Sequence, residues 1–222
     1  MVRISEETGR VLRVAAALAA LALPGSAGAT VLYDNLSNPN SLSSTPVSSS
    51  TWVANSFSTD NNTYHLSDVI LSLEGIATTG TLTVSLYSSN NGTPPAPATG
   101  LVTLGTIADS ALSTSSFTQQ TVAGGGFTLN PNTMYFVVLS GSSVTGSDSA
   151  WEKENGATGT GVAGQAWGIS ANSGSTWLTH TVSTDFQPYL MRVDVTTTPE
   201  PGTITGAFAG LALLLAGTWR RR

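Results

Sequence analysis

Strict alternation of apolar and polar residues, the mark of a half-buried β-strand, runs through the middle of this chain. In GTLTVSLYSS, residues 80–89, Leu82, Val84 and Leu86 share one face while Thr81, Thr83, Ser85 and Tyr87 share the other. DVILSLEG, residues 68–75, sets Val69, Leu71 and Leu73 together, and PYLMRVDVTT, residues 188–197, does the same for Tyr189, Met191, Val193 and Val195. MYFVVLSG, residues 134–141, is apolar on both faces, as a central strand would be. Turn formers separate these runs: Asn91-Gly92, Pro94-Pro95-Ala96-Pro97, Gly124-Gly125-Gly126 and Asn130-Pro131-Asn132. No segment of the middle region longer than a turn or two has helical period. The pattern predicts an all-β domain, an antiparallel β-sandwich of jelly-roll type. Residues 30–195 are roughly 170 residues, enough for one domain with a sizeable core.

The two ends follow other rules. Arg3, Arg10 and Arg13 precede an apolar run from Val14 to Leu23, and Pro24-Gly25 breaks it. Ala27-Gly28-Ala29 then offers the small-x-small pattern that signal peptidase accepts, so residues 1–29 read as a signal helix and the mature chain is expected to begin near Thr30. At the other end, Gly202 to Trp219 carries no charge and is sealed by Arg220, Arg221 and Arg222. A span takes about 20 residues, with ~17 as the lower end, so the run is just long enough for a weak transmembrane helix. The arginines would stay cytoplasmic by the positive-inside rule, leaving the β-domain outside the inner membrane.

Charge excludes one large class of function. The chain holds 8 Lys and Arg against 13 Asp and Glu, and six of those eight bases lie in the two terminal segments. A nucleic-acid binder needs a basic stripe to neutralise phosphates, and Lys153 and Arg192 cannot make one. The chain has no cysteine, so an exported product draws its stability from burial and hydrogen bonds alone.

Pro199-Glu200-Pro201, the apolar run and the terminal arginines stand in a fixed order at residues 196–222. Together with an export signal, that order resembles the PEP-CTERM sorting signal of exopolysaccharide-producing bacteria. The resemblance implies that a membrane transpeptidase, an exosortase, recognises Pro199, Glu200 and Pro201 and removes the tail. Two prolines around one carboxylate make a stiff, extended peptide with little entropy left to lose on capture. A second resemblance lies in the spaced segments VLYDNLS, SFST, LSDVILSL, TVSLYSSNNGTP, LVTLGTIADSALST and NPNTMYFVVLSG, within residues 31–152. They are similar to the choice-of-anchor R domains of bacterial surface proteins. That implies a β-rich surface module and brings no catalytic residues with it. The expected partners are signal peptidase and exosortase during export, the inner membrane before processing, and exopolysaccharide afterwards.

Catalytic signals are weak. His65 and His180 are the only imidazoles, each in a strand-like stretch, and no G-x-S-x-G elbow is present. Residues 159–164 match G-x-G-x-x-G, but no strand precedes them and no helix follows, so the segment reads as a loop. No catalytic residue is expected, and a secreted hydrolase ranks behind the other readings. Asn35, Asn61 and Asn91 open N-x-S/T triplets, which a chain so rich in Ser and Thr produces by chance.

The strongest candidate site is SDSAWEKENG, residues 147–156, with Trp167 and Trp177 beyond it. Indole faces stack on sugar C–H groups and carboxylates accept their hydroxyls. Trp151, Glu152 and Trp177 are therefore candidate glycan-binding residues, with Trp151 expected exposed and Trp167 expected in the core. Asp148, Glu152 and Glu154 offer the oxygens that Ca²⁺ takes, but their spacing does not fit the EF-hand, and no metal or other cofactor is expected. The lead reading is an exported, non-enzymatic structural or adhesive matrix protein. A carbohydrate-binding module with a Trp and carboxylate cleft is the alternative.

Overall fold

The computed structural model describes residues 29–38, 44–76, 79–142, 149–154, 158–181 and 187–197. The signal helix, the apolar tail, Pro199, Glu200, Pro201 and Arg220 to Arg222 lie outside the described residues, as does Asp148. Among the described residues no helix is long and apolar enough to cross a membrane. The described unit, Ala29–Thr197, is all-β apart from one 3-10 turn at Asp109–Ala111.

Two antiparallel sheets face one another. The seven-stranded sheet holds β1 (Ala29–Asp34), β2 (Ser44–Val47), β4 (Tyr64–Gly75) and β7 (Thr118–Ala123). It also holds β8 (Thr128–Leu129), β10 (Ser149–Glu152) and β13 (Met191–Thr197). The six-stranded sheet holds β3 (Trp52–Ser58), β5 (Thr81–Ser89), β6 (Pro97–Ala108) and β9 (Met134–Gly141). β11 (Ala166–Ser170) and β12 (Leu178–Thr181) complete it, in the order β12-β11-β3-β9-β5-β6.

The alternation seen in the sequence sets which faces meet. Leu82, Val84 and Leu86 of β5, Val69, Leu71 and Leu73 of β4, and Met191, Val193 and Val195 of β13 all enter one core. Each fully buried Leu or Val contributes about 1.5–3 kcal/mol relative to exposure, which is how a chain without disulfides holds two sheets together. In β9, Tyr135, Val137 and Leu139 enter this core while Phe136 and Val138 point the other way, so both faces of that strand are covered. The expected turns are present, with Gly125, Gly126 and Asn132 at positive φ.

β6 departs from simple alternation. Against β5 its register shifts between Val84 and Ser85, again between Leu86 and Tyr87, and again before Ser89. Bulges of this kind twist an edge strand away from straight pairing, and leave Leu101 exposed on the edge.

Candidate functional site

The expected Trp and carboxylate cleft does not assemble. β10 is an interior strand, paired to β2 on one side and β4 on the other, and all four of its residues are buried. Trp151, expected exposed, is 0% exposed. Its ring stacks on Tyr189 at 4.8 Å between centroids, and its Nε1 donates to the Leu190 carbonyl at 2.9 Å. Glu152 follows it in the strand and so points to the opposite sheet face, where Ser72 Oγ donates to its carboxylate at 2.5 Å. Trp177 belongs to a cluster on the other sheet. The strand's period of two and the separation into two sheets thus divide three residues that the sequence places close together. Trp167, expected in the core, is 3% exposed and meets Tyr189 edge-on at 5.9 Å.

Beyond β10 the chain forms a polar knot. Glu154, 2% exposed, accepts hydrogen bonds from Asn35 Nδ2 at 2.9 Å, Asn38 Nδ2 at 2.6 Å and the Thr158 backbone N–H at 3.1 Å. Asn35 also donates to the Tyr189 carbonyl and accepts from the Met191 N–H. A buried carboxylate is tolerable because donors surround it. The same bonds take Asn35 out of reach of any sugar transfer, while Asn61 and Asn91 are exposed. The G-x-G-x-x-G segment lies beside this knot: Thr160 and Asp34 exchange two backbone hydrogen bonds of 3.0 Å. A Cβ at Gly159 or Gly161 would land on the carbonyl oxygen of Asp34 or Leu32. The glycines serve close backbone approach to β1, with no nucleotide involved in that role.

Both imidazoles sit in strands. His180 stacks on Trp167 at 4.4 Å, and Lys153 Nζ lies 4.6 Å from the same ring. His65 Nδ1 is 3.3 Å from the Gly126 carbonyl and 3.3 Å from Thr128 Oγ1. Among the described residues no group of three or more His, Asp or Glu side chains is placed to hold a metal ion. Two buried tyrosines, Tyr33 and Tyr189, have hydroxyls held far above their ordinary pKa, chiefly by burial.

One surface stands apart in composition. Every Asp, Glu, Lys and Arg that lies in a described strand belongs to the seven-stranded sheet: Asp34, Asp68, Glu74, Glu152, Arg192 and Asp194. The six-stranded sheet has none. Its outer face is built on the small or buried residues Ala54, Ala166, Phe136 and Val138, with Trp52, Trp177, Tyr87 and Met134 packed around them half-buried.

Local geometry fixes the two tryptophans. Trp52 Nε1 donates to the Ser49 carbonyl at 3.0 Å, and Ser173 Oγ donates to the same oxygen at 2.9 Å. The turn between β11 and β12 meets the Cε3–Cζ3 side of the Trp52 ring at Gly174, whose φ of +80° suits glycine and whose Cβ would lie 2.6 Å from Cζ3. The chain then returns so that Trp177 lies by Gly168, 3.6 Å from where a Cβ would be. Beside the aromatics, Thr83 faces Ser140 and Ser85 faces Val138 across β5 and β9, and all three hydroxyl residues are half-exposed. Of this surface the sequence reading found only Trp177. Tyr87 carried a signal, since it occupies an outward position in an alternating strand, whereas Trp52 opens WVANSFS, which does not alternate.

No protein-family model and no curated protein matches this chain.

Proposed function

We propose that Ala29–Thr197 is the displayed module of an exported surface or matrix protein with a structural or adhesive role. The tail that follows Thr197 anchors it briefly to the inner membrane, and an exosortase acting at Pro199, Glu200 and Pro201 releases it. The observation that carries this reading is the pairing of β1 with β13, in which Ala29 lies opposite Thr196. Both ends of the sandwich therefore leave from one end of the same strand pair. A cut before Thr30 and another near Pro199 to Pro201 take at most the first residue of β1 and none of the core. The jelly-roll assignment has similar support, because the chain crosses repeatedly between the sheets: β2 to β3, β3 to β4, β4 to β5 and β6 to β7.

Mass spectrometry of the extracellular fraction tests the proposal. The expected result is an N-terminus near Thr30 and no peptide from Ala207 to Arg222. Extracellular protein with its tail intact would overturn it.

A further inference from the structure

We infer that the outer face of the six-stranded sheet is a binding platform for an uncharged polysaccharide, with Trp177, Trp52 and Tyr87 as its stacking surfaces. The inference deepens the display reading and rests on it for the encounter with such a ligand, but the site itself is argued from three independent features of the sheet.

The first is charge. All six strands lack Asp, Glu, Lys and Arg, in a molecule whose other sheet carries six such residues. An anionic polymer would find no cation on these strands to replace the water and counterions it gives up. A neutral one gives up no counterions.

The second is the placement of the rings. Trp177, immediately before β12, and Trp52 on β3 are separated by one intervening strand, β11, whose Ser170 pairs with Trp52. Two strand spacings put their backbones on the order of 9–10 Å apart, a separation that an extended sugar chain bridges and a single small ligand does not. Tyr87, on β5, lies two strands further across and level with Ser56, four residues or about 13 Å along β3 from Trp52, so the three rings mark a diagonal track across the sheet. Trp52 is held by its Nε1 bond to Ser49 and by Gly174 against the Cε3–Cζ3 side of its ring. A pinned aromatic loses little entropy when a ligand settles on it.

The third feature separates a glycan from a second copy of this chain. Thr83, Ser85 and Ser140 stand half-exposed beside the rings. A dry apolar partner would strip water from these hydroxyls without replacing its hydrogen bonds. A polyhydroxylated chain replaces them, while its C–H faces cover the indoles.

The test is native-gel affinity electrophoresis of the full chain in a non-ionic detergent without a sugar headgroup. The gels contain dextran, hydroxyethyl cellulose or alginate. The expected result is retardation by at least one of the two neutral polymers and none by alginate. Trp177→Ala should weaken that retardation about tenfold, as the loss of one stacking face implies, without lowering the melting temperature. Ser140→Lys, which adds charge to the face without removing a ring, should weaken it as well. The inference fails if neither neutral polymer retards the protein, if alginate retards it equally, or if both variants bind like the parent. It fails too if Trp177→Ala changes the oligomeric state and leaves retardation alone, since the face would then be a self-contact. Export and tail removal are read separately by mass spectrometry, so failure of the display reading leaves a distinct signature.

Discussion

Trp151 and Tyr189 lie ring against ring in the core, centroids 4.8 Å apart and planes 25° from parallel. Tyr189 donates its hydroxyl to Thr45 Oγ1 at 2.8 Å, and Trp151 donates Nε1 to Leu190 at 2.9 Å. The pair thus joins β10, β2 and the segment entering β13, with both polar ends satisfied. Trp151→Ala should cost ~3–5 kcal/mol through the cavity it opens, lowering the melting temperature by roughly 10 °C in a domain of this size. Trp177→Ala, on a half-exposed position, should stay within ~1 kcal/mol of the parent. Equal melting of the two variants would contradict the burial described here.

Alkaline pH should weaken the fold. Burial raises the hydroxyl pKa of both Tyr33 and Tyr189 above the ordinary value near 10, with smaller effects from Asn55 on Tyr33 and from Thr45 on Tyr189. The unfolded chain then loses these protons first, so stability is complete below about pH 10 and falls as pH rises past it. Melting temperatures between pH 8 and 12 should show that decline, and Tyr33→Phe should flatten it. A flat profile in the parent protein would rule out the mechanism.

The knot around Glu154 makes a local prediction. Glu154→Ala takes one acceptor from Asn35, Asn38 and the Thr158 N–H. Asn35 keeps the Tyr189 carbonyl and Asn38 the Thr158 carbonyl, and the second N–H of buried Asn35, left without a partner, costs about 1–3 kcal/mol. Amide hydrogen exchange should quicken at residues 34–38 while β5 and β9 keep their protection. Uniform loss of protection would mean that the knot does not act locally.

Gly161 and Gly164 offer a matched comparison. Both have positive φ, +69° and +79°, but a Cβ at Gly161 would strike the Leu32 carbonyl while one at Gly164 meets nothing within 4 Å. Gly164→Ala should therefore cost only the left-handed strain of roughly 1 kcal/mol. Gly161→Ala should cost clearly more, because β1 must move. Urea denaturation of the two variants checks the order, and similar midpoints would speak against close packing of this loop on β1.

The alternation in residues 68–75, 80–89 and 188–197 determined by itself that these segments are strands and which of their residues face inward. Sheet periodicity is a local property, and Leu82, Val84 and Leu86 would share a face in any sheet. Turn positions followed for the same reason, since Gly and Asn relieve a backbone constraint that neighbours do not alter. The local rule also spoke at Trp151 and Glu152, which adjacent positions in a strand send to opposite faces. It went unread there because SAWE is only four residues long and looks like part of a polar loop. Only the tertiary structure decided that β10 lies between β4 and β2, so that Trp151 becomes core. It alone set Trp177 one strand away from Trp52, 125 positions earlier in the chain, and gathered the four charge-bearing strands, β1, β4, β10 and β13, into the other sheet. Those outcomes depend on which strands pair across long separations. That choice is made by the summed burial of the whole core, and no short stretch of sequence carries it.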